Sequence, residues 1–497
     1  MTVRSESLGG LVVLLFAGLF AASQLATWPN RLRYPGESNY VDGMRLVEML
    51  HLRQGVPIYA LPSAERFDAA IYGPLYYLLG ARLIDASAPA YLPLRLLSAL
   101  GALGLAAGCG LLAFWLTRSP LAATLAPPLF LSYALVTRHG TSARSDMVAL
   151  FLVFTGFLVA FRFQGDRRIL LALPFMLLGF FYKQQYVAGP VAVLLVLVIE
   201  KRYRTAMWFL GLLISGGLAL LALFQFVIFA GQAFLSHFIL YNAVGFSWQQ
   251  LKYAGLLYAA VVLLLPVLLG RTYLRKHPNR MMHSYLAVSI VLSLITAGKV
   301  GSGSHYWFEP LLIVSALVAA LVAERIEGFG KPGGMVLLLA SVLVLARVSS
   351  APSPTPRDLA RDQAIQAYLH RRFPPGTPAL SHWAGDMARA GLDLPVSDSD
   401  QYRYLVREGI LSDQPLLDQI RGQRFGVLVF DYDLRDTQAS ASRGDQLPAA
   451  WSQAILSIYD LDASLEMPDP EKLFPRGRFY IWVPRSKPLR AEPRTKE

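Results

Sequence analysis

Glu37 stands directly after a Pro35-Gly36 turn and just ahead of a stretch, Tyr40 to Gln54, whose apolar residues recur at helical spacing. A carboxylate held at the mouth of a helix near a bilayer interface can serve as general base for an acceptor hydroxyl or amine. Its bland counterpart is a capping acid that favours the first helical turn. On the predicted helix Tyr40, Met44, Val47 and Leu50 share one face while Asp42, Arg45 and Glu48 turn away from it, so the helix is expected to lie flat on the membrane surface.

Arg144-Ser145-Asp146 opens a second apolar run, with Arg138 and His139 just before it. Asp146 suits a helix cap, and it is also a hard oxygen ligand that beside a second carboxylate could hold a divalent ion bridging a phosphate. Arg144 could bind a phosphate oxygen directly. Lys183 stands between two apolar runs and is followed by Gln184 and Gln185, while Lys299 heads the segment Gly298 to Glu309, which includes His305 and Tyr306. Ionisable groups in or beside membrane spans are costly and are functional candidates by default. The Gly and Ser spacing after Lys299 suits backbone N–H groups approaching an anion, although it lacks the P-loop pattern. Snorkelling is the alternative for Lys299, and a lone His305 reads more readily as a satisfied interfacial residue than as a metal ligand.

Such residues need a bilayer to position them. The chain has 497 residues, 54% of them hydrophobic and only 16% charged, with a mean hydropathy of +0.42. That composition excludes a soluble multidomain protein and describes a polytopic membrane protein. The net charge of +13 fits basic cytoplasmic loops, and a nucleic-acid partner drops out. Cys109 is the only cysteine, so there is no intramolecular disulfide and no cysteine-based zinc site.

Measured against the roughly 20 residues a crossing helix needs, the candidate spans are 8–26, 95–117, 121–137, 147–163, 205–230, 254–270, 283–297, 309–323 and 333–348. The shorter runs 169–182 and 186–199 meet at Lys183-Gln184-Gln185 as two helices at a polar break, bringing the expected count to about eleven. The first span is expected to be a retained anchor, with a cleaved signal peptide as its alternative. Arg162, Arg167 and Arg168, then Lys201, Arg202 and Arg204, then Arg271, Arg275, Lys276 and Arg280 fill three short loops, which the positive-inside rule assigns to the cytoplasm. Alternation then puts the 27–70 loop, His139 to Asp146, Lys183, the 298–308 loop and the tail outside. Parity holds only if Ile71 to Ile84, about 21 Å long at about 1.5 Å per residue, is a partial or re-entrant helix.

The tail, 350–497, opens with Pro352, Pro354 and Pro356 as a linker and then reads as a small α/β domain. Helices are predicted over Asp358–Phe373, Tyr402–Glu408 and Pro415–Arg421, with strands over Ala379–Ser381, Phe425–Phe430 and Phe479–Val483.

Across 8–325 the order of motifs resembles the GT-C membrane glycosyltransferases, specifically the family 39 type of protein mannosyltransferases and the aminoarabinose transferase. The motifs are Pro35-Gly36-Glu37, Tyr72-Gly73-Pro74 before an aromatic run, Arg95 opening a helix, Arg144-Ser145-Asp146, Lys183-Gln184 and Gly298 to Glu309. The resemblance implies a GT-C-like transmembrane domain over 1–349 in the plasma (bacterial inner) membrane. It implies transfer of a hexosyl or pentosyl unit from a polyprenyl-phosphate donor to a lipid, glycan or protein acceptor on the extracytoplasmic face. In that reading Glu37 and Asp146 are catalytic. Arg144, Lys183, Gln184 and Lys299 hold the donor phosphate, and Asp42, Tyr72, His305, Tyr306 and Glu309 contact sugar or acceptor. No cofactor is required, and a divalent metal, Mg or Mn, has its place on Asp146 if one is used. Protein mannosyltransferases carry an Asp-Glu pair in the first loop where this chain has Glu37 alone, which points to a lipid or glycan acceptor. Family 39 enzymes often have Pro where Ser145 stands. The competing class is a transporter or flippase of a lipid-linked glycan, against which stand the lack of an internal repeat and the outer domain. An anchored outer-face binding protein is a third reading, and eleven spans exceed what an anchor needs.

Overall fold

The computed structural model describes residues 5–63, 66–242, 245–257, 264–326, 351–436, 447–471 and 477–485. The expected span 333–348, part of 254–270 and the basic run after Arg485 lie outside them. The membrane part begins with α1 (Ser5–Arg33), α2 (Tyr40–Arg53), α3 (Pro74–Leu83) and α4 (Leu92–Thr117). It continues through α5 (Pro120–Leu131), α6 (Ala134–Gly140), α7 (Asp146–Arg162), α8 (Leu173–Tyr182), α9 (Ala188–Ile199) and α10 (Tyr203–Leu223). It closes with α11 (Leu264–Lys276), α12 (Arg280–Ala297) and α13 (Phe308–Ile326).

Four described helical stretches, Leu92–Thr117, Tyr203–Ile228, Arg280–Ala297 and Ser304–Glu324, are long and apolar enough to cross a bilayer. The pair α5 and α6, bent by 71°, makes a fifth if taken as one span. The eleven crossings expected are therefore not matched one for one. The polar breaks keep several apolar runs short, with α3 and α8 at 10 residues and α9 at 12. The first expected span lengthens to the 29-residue α1. α10 exposes Met207, Trp208, Ile214 and Leu218, an apolar face suited to lipid, whereas α13 is buried within the bundle. Helices approach closely where side chains vanish: a Cβ on Gly179 of α8 would lie 2.8 Å from the Ala149 carbonyl oxygen of α7.

The C-terminal part carries a four-stranded sheet of β1 (Ala379–Ser381), β2 (Val427–Phe430), β3 (Tyr459–Glu466) and β4 (Arg478–Pro484) in the order β1-β2-β4-β3. β1 runs parallel to β2, and β4 is antiparallel to both β2 and β3. Alternate residues feed two cores. Leu380, Leu428, Phe430 and Trp482 pack with Phe67 and Tyr241 of the membrane part. Ala379, Val427, Val429 and Ile481 pack with Val47 of α2. The helices are α14 (Pro356–Arg372), α15 (Ala384–Arg389), α16 (Ser399–Arg407), α17 (Gln414–Arg421) and α18 (Ala449–Ile458). Pro356 is the first residue of α14, behind a Thr355/Asp358 capping box, so the proline run does not continue as a linker that far. β3, α15 and α18 were not foreseen. β3 carries Asp460, Asp462 and Ser464 among its apolar residues, which gives little hydrophobic signal.

One expectation needs correction. α2 does not lie flat with its polar face in water, because Asp42, Arg45 and Glu48 are as buried as Met44 and Val47. The C-terminal domain covers that face: Arg45 reaches Glu48 at 2.6 Å and Asp398 at 2.8 Å, and also bonds to the Tyr77 hydroxyl. A buried cation with this many acceptors is held by the fold and no longer behaves as a surface charge.

Candidate active site

The break between α8 and α9 lets Lys183 leave the helix in an extended conformation (φ −156°, ψ 118°), and this turns its side chain into the bundle. Its Nζ donates to Asp146 Oδ1 at 2.7 Å and lies 4.8 Å from the centre of the Tyr72 ring. Tyr186 donates to the same Asp146 oxygen at 2.9 Å, and His139 Nδ1 is 3.5 Å from Oδ2. Gln184 donates to the Ile71 carbonyl at 2.8 Å and so ties the break to the entrance of α3.

Tyr72, Lys183, Gln184, Lys299, His305 and Tyr306 line one cavity of about 310 Å³, roofed by Gln401 and Tyr404 of the C-terminal domain. No acid lines it. Burial, with the nearby Lys183 charge, pushes the Lys299 ammonium down to about 8. Lys183 shares its charge with Asp146, while Lys299 forms no ion pair among the described residues, so this wall keeps positive charge that can receive an anion.

Arg144 stands between this cavity and the first loop. Its Nη2 donates to Asn39 Oδ1 at 2.9 Å and its Nε is 3.9 Å from Asp42. Arg95 braces the turn before α2, donating to the Gly36 carbonyl at 2.7 Å and to Ser38 at 3.2 Å. Burial raises the Asp42 carboxyl above its ordinary value, against the pull of Arg95 and Arg144.

Glu37 lies deeper than a surface loop acid. Its Oε1 accepts the Asp386 backbone N–H at 2.6 Å, and Oε2 is buried without a hydrogen-bond partner among the described residues. The start of α15 reaches it because residue 385 is glycine: a methyl there would collide with the Tyr91 hydroxyl and the Gly43 Cα and crowd the Glu37 carboxylate. Burial, followed by the Asp386 charge, holds the Glu37 carboxyl well above the ordinary range. Asp386 is itself pushed up to about 6 by burial, partly offset by Arg389 at 3.0 Å.

The fold thus gathers Tyr72, Lys183, Gln184, Lys299, His305 and Tyr306 in one cavity, with Asp146 bonded to one of its lysines. It does not bring Glu37, Asp42 or Glu309 to the cavity wall. Glu309 is buried in α13, accepting from the Tyr285 hydroxyl at 3.1 Å. Tyr186, Asp386, Gln401 and Tyr404 were not foreseen. Tyr186 alone had a signal, as a polar tip three residues past Lys183.

Asp146 fits poorly as a metal ligand. One oxygen already takes an ammonium and a phenol, the other faces a histidine, and a second cation beside Lys183 would be repelled. Among the described residues no group of three or more His, Cys, Asp or Glu is placed to hold a metal ion.

No protein-family model and no curated protein matches the sequence. Among solved structures, the chain is similar to ArnT from Cupriavidus metallidurans in the apo state, at 11% identity and a TM-score of 0.57 over 94% of this chain and 97% of that one. ArnT bound to undecaprenyl phosphate is similar at 13% identity and a TM-score of 0.52 over 93% and 97%. The oligosaccharyltransferase AglB from Archaeoglobus fulgidus aligns at 14% identity and a TM-score of 0.46 over 90% and 73%. At such identities the likeness is one of architecture: the helical bundle with its appended sheet shares the fold of ArnT.

Proposed function

We propose that this protein transfers a hexosyl or pentosyl unit from a polyprenyl-phosphate donor to a lipid or glycan acceptor. The observation that carries the reading is the cavity with two lysines on its wall: Lys183, bonded to Asp146 behind that wall, and Lys299, which forms no ion pair among the described residues. The fold shared with ArnT, a protein solved with undecaprenyl phosphate bound, supports a lipid phosphate as the anion. We assign 1–349 to the catalytic membrane unit and 350–497 to a docked domain. Counting the short and broken helices and the 333–348 run as separate segments keeps the arrangement of about eleven in the plasma membrane. The basic loops at the far end support an extracytoplasmic site.

In the reaction the acceptor oxygen attacks the anomeric carbon, the bond from that carbon to the phosphate oxygen breaks, and its electron pair leaves with the polyprenyl phosphate. Lys183, Lys299 and Arg144 stabilise the charge that grows on the phosphate. The acceptor proton passes to a carboxylate, for which we assign Glu37: its burial raises its basicity, and Oε2 is left unpaired. A cleft of about 620 Å³ lined by Tyr34, Tyr91, Gln366 and Arg389 borders the Tyr91 that crowds Glu37, and we assign it to acceptor entry. Asp146 serves by holding Lys183, and no step passes through a metal.

The test follows release of free polyprenyl phosphate from a labelled donor by purified protein, with a panel of lipid and glycan acceptors. Cleavage lost in Lys183→Gln and Arg144→Gln while donor still binds supports transfer. Donor moved between leaflets of proteoliposomes without cleavage, across the whole panel, would replace this reading with transport.

A further inference from the structure

At the end of the bundle remote from the C-terminal domain, the C-termini of α4, α7 and α11 converge on a cavity of about 550 Å³. Arg118, Arg162 and Lys276 line it. Three helix C-termini contribute about half a negative charge each, which three full positive charges exceed. Of the nearby acids, Asp166 pairs with Arg168 at 2.7 Å and Glu200 with Arg202 at 3.8 Å, while Glu324 pairs at 2.6 Å with His277, itself on the cavity wall. Among the described residues no acid forms an ion pair with Arg118, Arg162 or Lys276.

Two further features separate this cavity from an ordinary basic loop. Arg118 caps α4 in the left-handed region at φ 57°, a position that glycine occupies without strain, yet an arginine is held there. Trp115 lies half-buried on the cavity wall, stacked parallel to Phe161 at 6.2 Å, while Tyr273 stacks on His277 at 4.9 Å. Aromatic rings beside cations that form no ion pair among the described residues, at the ends of membrane helices, fit an amphipathic anion whose tail stays in the bilayer.

We propose that this cavity binds the phosphate head group of an anionic phospholipid in the adjoining leaflet. Arg118, Arg162 and Lys276 would hold the phosphate oxygens, and Trp115 would flank the glycerol region. The inference stands apart from the sugar-transfer reading, since it uses the other end of the molecule.

The test places the full chain in nanodiscs of phosphatidylcholine doped with cardiolipin and measures, by native mass spectrometry, which lipid remains on the released protein. Wild type should retain cardiolipin in preference to phosphatidylcholine. Arg118→Gly relieves the backbone, so its thermal midpoint should hold or rise, while cardiolipin retention falls at least about tenfold. The triple variant Arg118→Gln, Arg162→Gln, Lys276→Gln should abolish the preference. Arg204→Gln and Arg275→Gln remove charge at the same end without lining the cavity and should keep it. Unchanged retention in Arg118→Gly and the triple variant overturns the proposal. So does equal loss in the two outside variants, which would mean a diffuse basic surface. Displacement of cardiolipin by millimolar inorganic phosphate would make this a site for soluble phosphate, and overturns the lipid assignment.

Discussion

The Lys183 ammonium and the Asp146 carboxylate meet at 2.7 Å with both side chains almost fully buried, joining the break after α8 to the first turn of α7. Removing either partner leaves the other charged and buried, which costs about 3–5 kcal/mol. Lys183→Gln and Asp146→Asn should each destabilise the protein by that order, and the double variant by less than the sum. Denaturation of all three in one detergent checks this. Additive losses would show that the two groups act independently.

Glu37→Gln keeps the size and the bond to the Asp386 N–H but removes the base. Sugar transfer should fall at least about 100-fold, the lower end for a general base, with membrane insertion and undecaprenyl phosphate binding intact. Near-normal turnover would move the base elsewhere, with Asp42 the first candidate.

The pH dependence should have two limbs. Lys299 titrates near 8, so it carries charge below that pH and loses it above; affinity for undecaprenyl phosphate should fall as pH rises through about 8. Glu37 accepts a proton only when ionised, and its carboxyl is raised, so turnover should climb with pH above the ordinary carboxylate range. Lys299→Arg should keep the charge and remove the alkaline loss of binding. An alkaline limb unmoved in that variant would assign it to another group.

Gly385→Ala introduces a methyl into the contact among Glu37, Tyr91 and α15. Overpacking of this kind costs about 1–3 kcal/mol. On the proposed reading turnover should drop while binding of a polyprenyl-phosphate probe, assigned to the other side of Arg144, stays near wild type. Loss of both would mean that the docked domain shapes the lipid-phosphate cavity as well.

Orientation can be read with single cysteines in a Cys109→Ala background. An impermeant thiol reagent applied to right-side-out cells should label exposed positions 40 and 357, at the domain end, and spare 275. Labelling of 275 with 40 and 357 protected would invert the topology and sink the extracytoplasmic site.

The sequence by itself determined the membrane class, most helix positions and the polar break that places Lys183, because hydrophobic runs and their interruptions are local properties of about twenty residues. It also marked Lys183, Gln184, Lys299, His305 and Tyr306 beside apolar runs, while Tyr72 entered through the resemblance, and the structure gathers these six into one cavity. Only the tertiary structure decided where Glu37 lies. Its partner Asp386 is 349 residues away, and the burial that raises its carboxyl comes from a domain docked over α2. The same docking reversed the expectation for Asp42, Arg45 and Glu48: helical periodicity says which residues share a face, and what covers that face depends on packing between segments far apart in the chain.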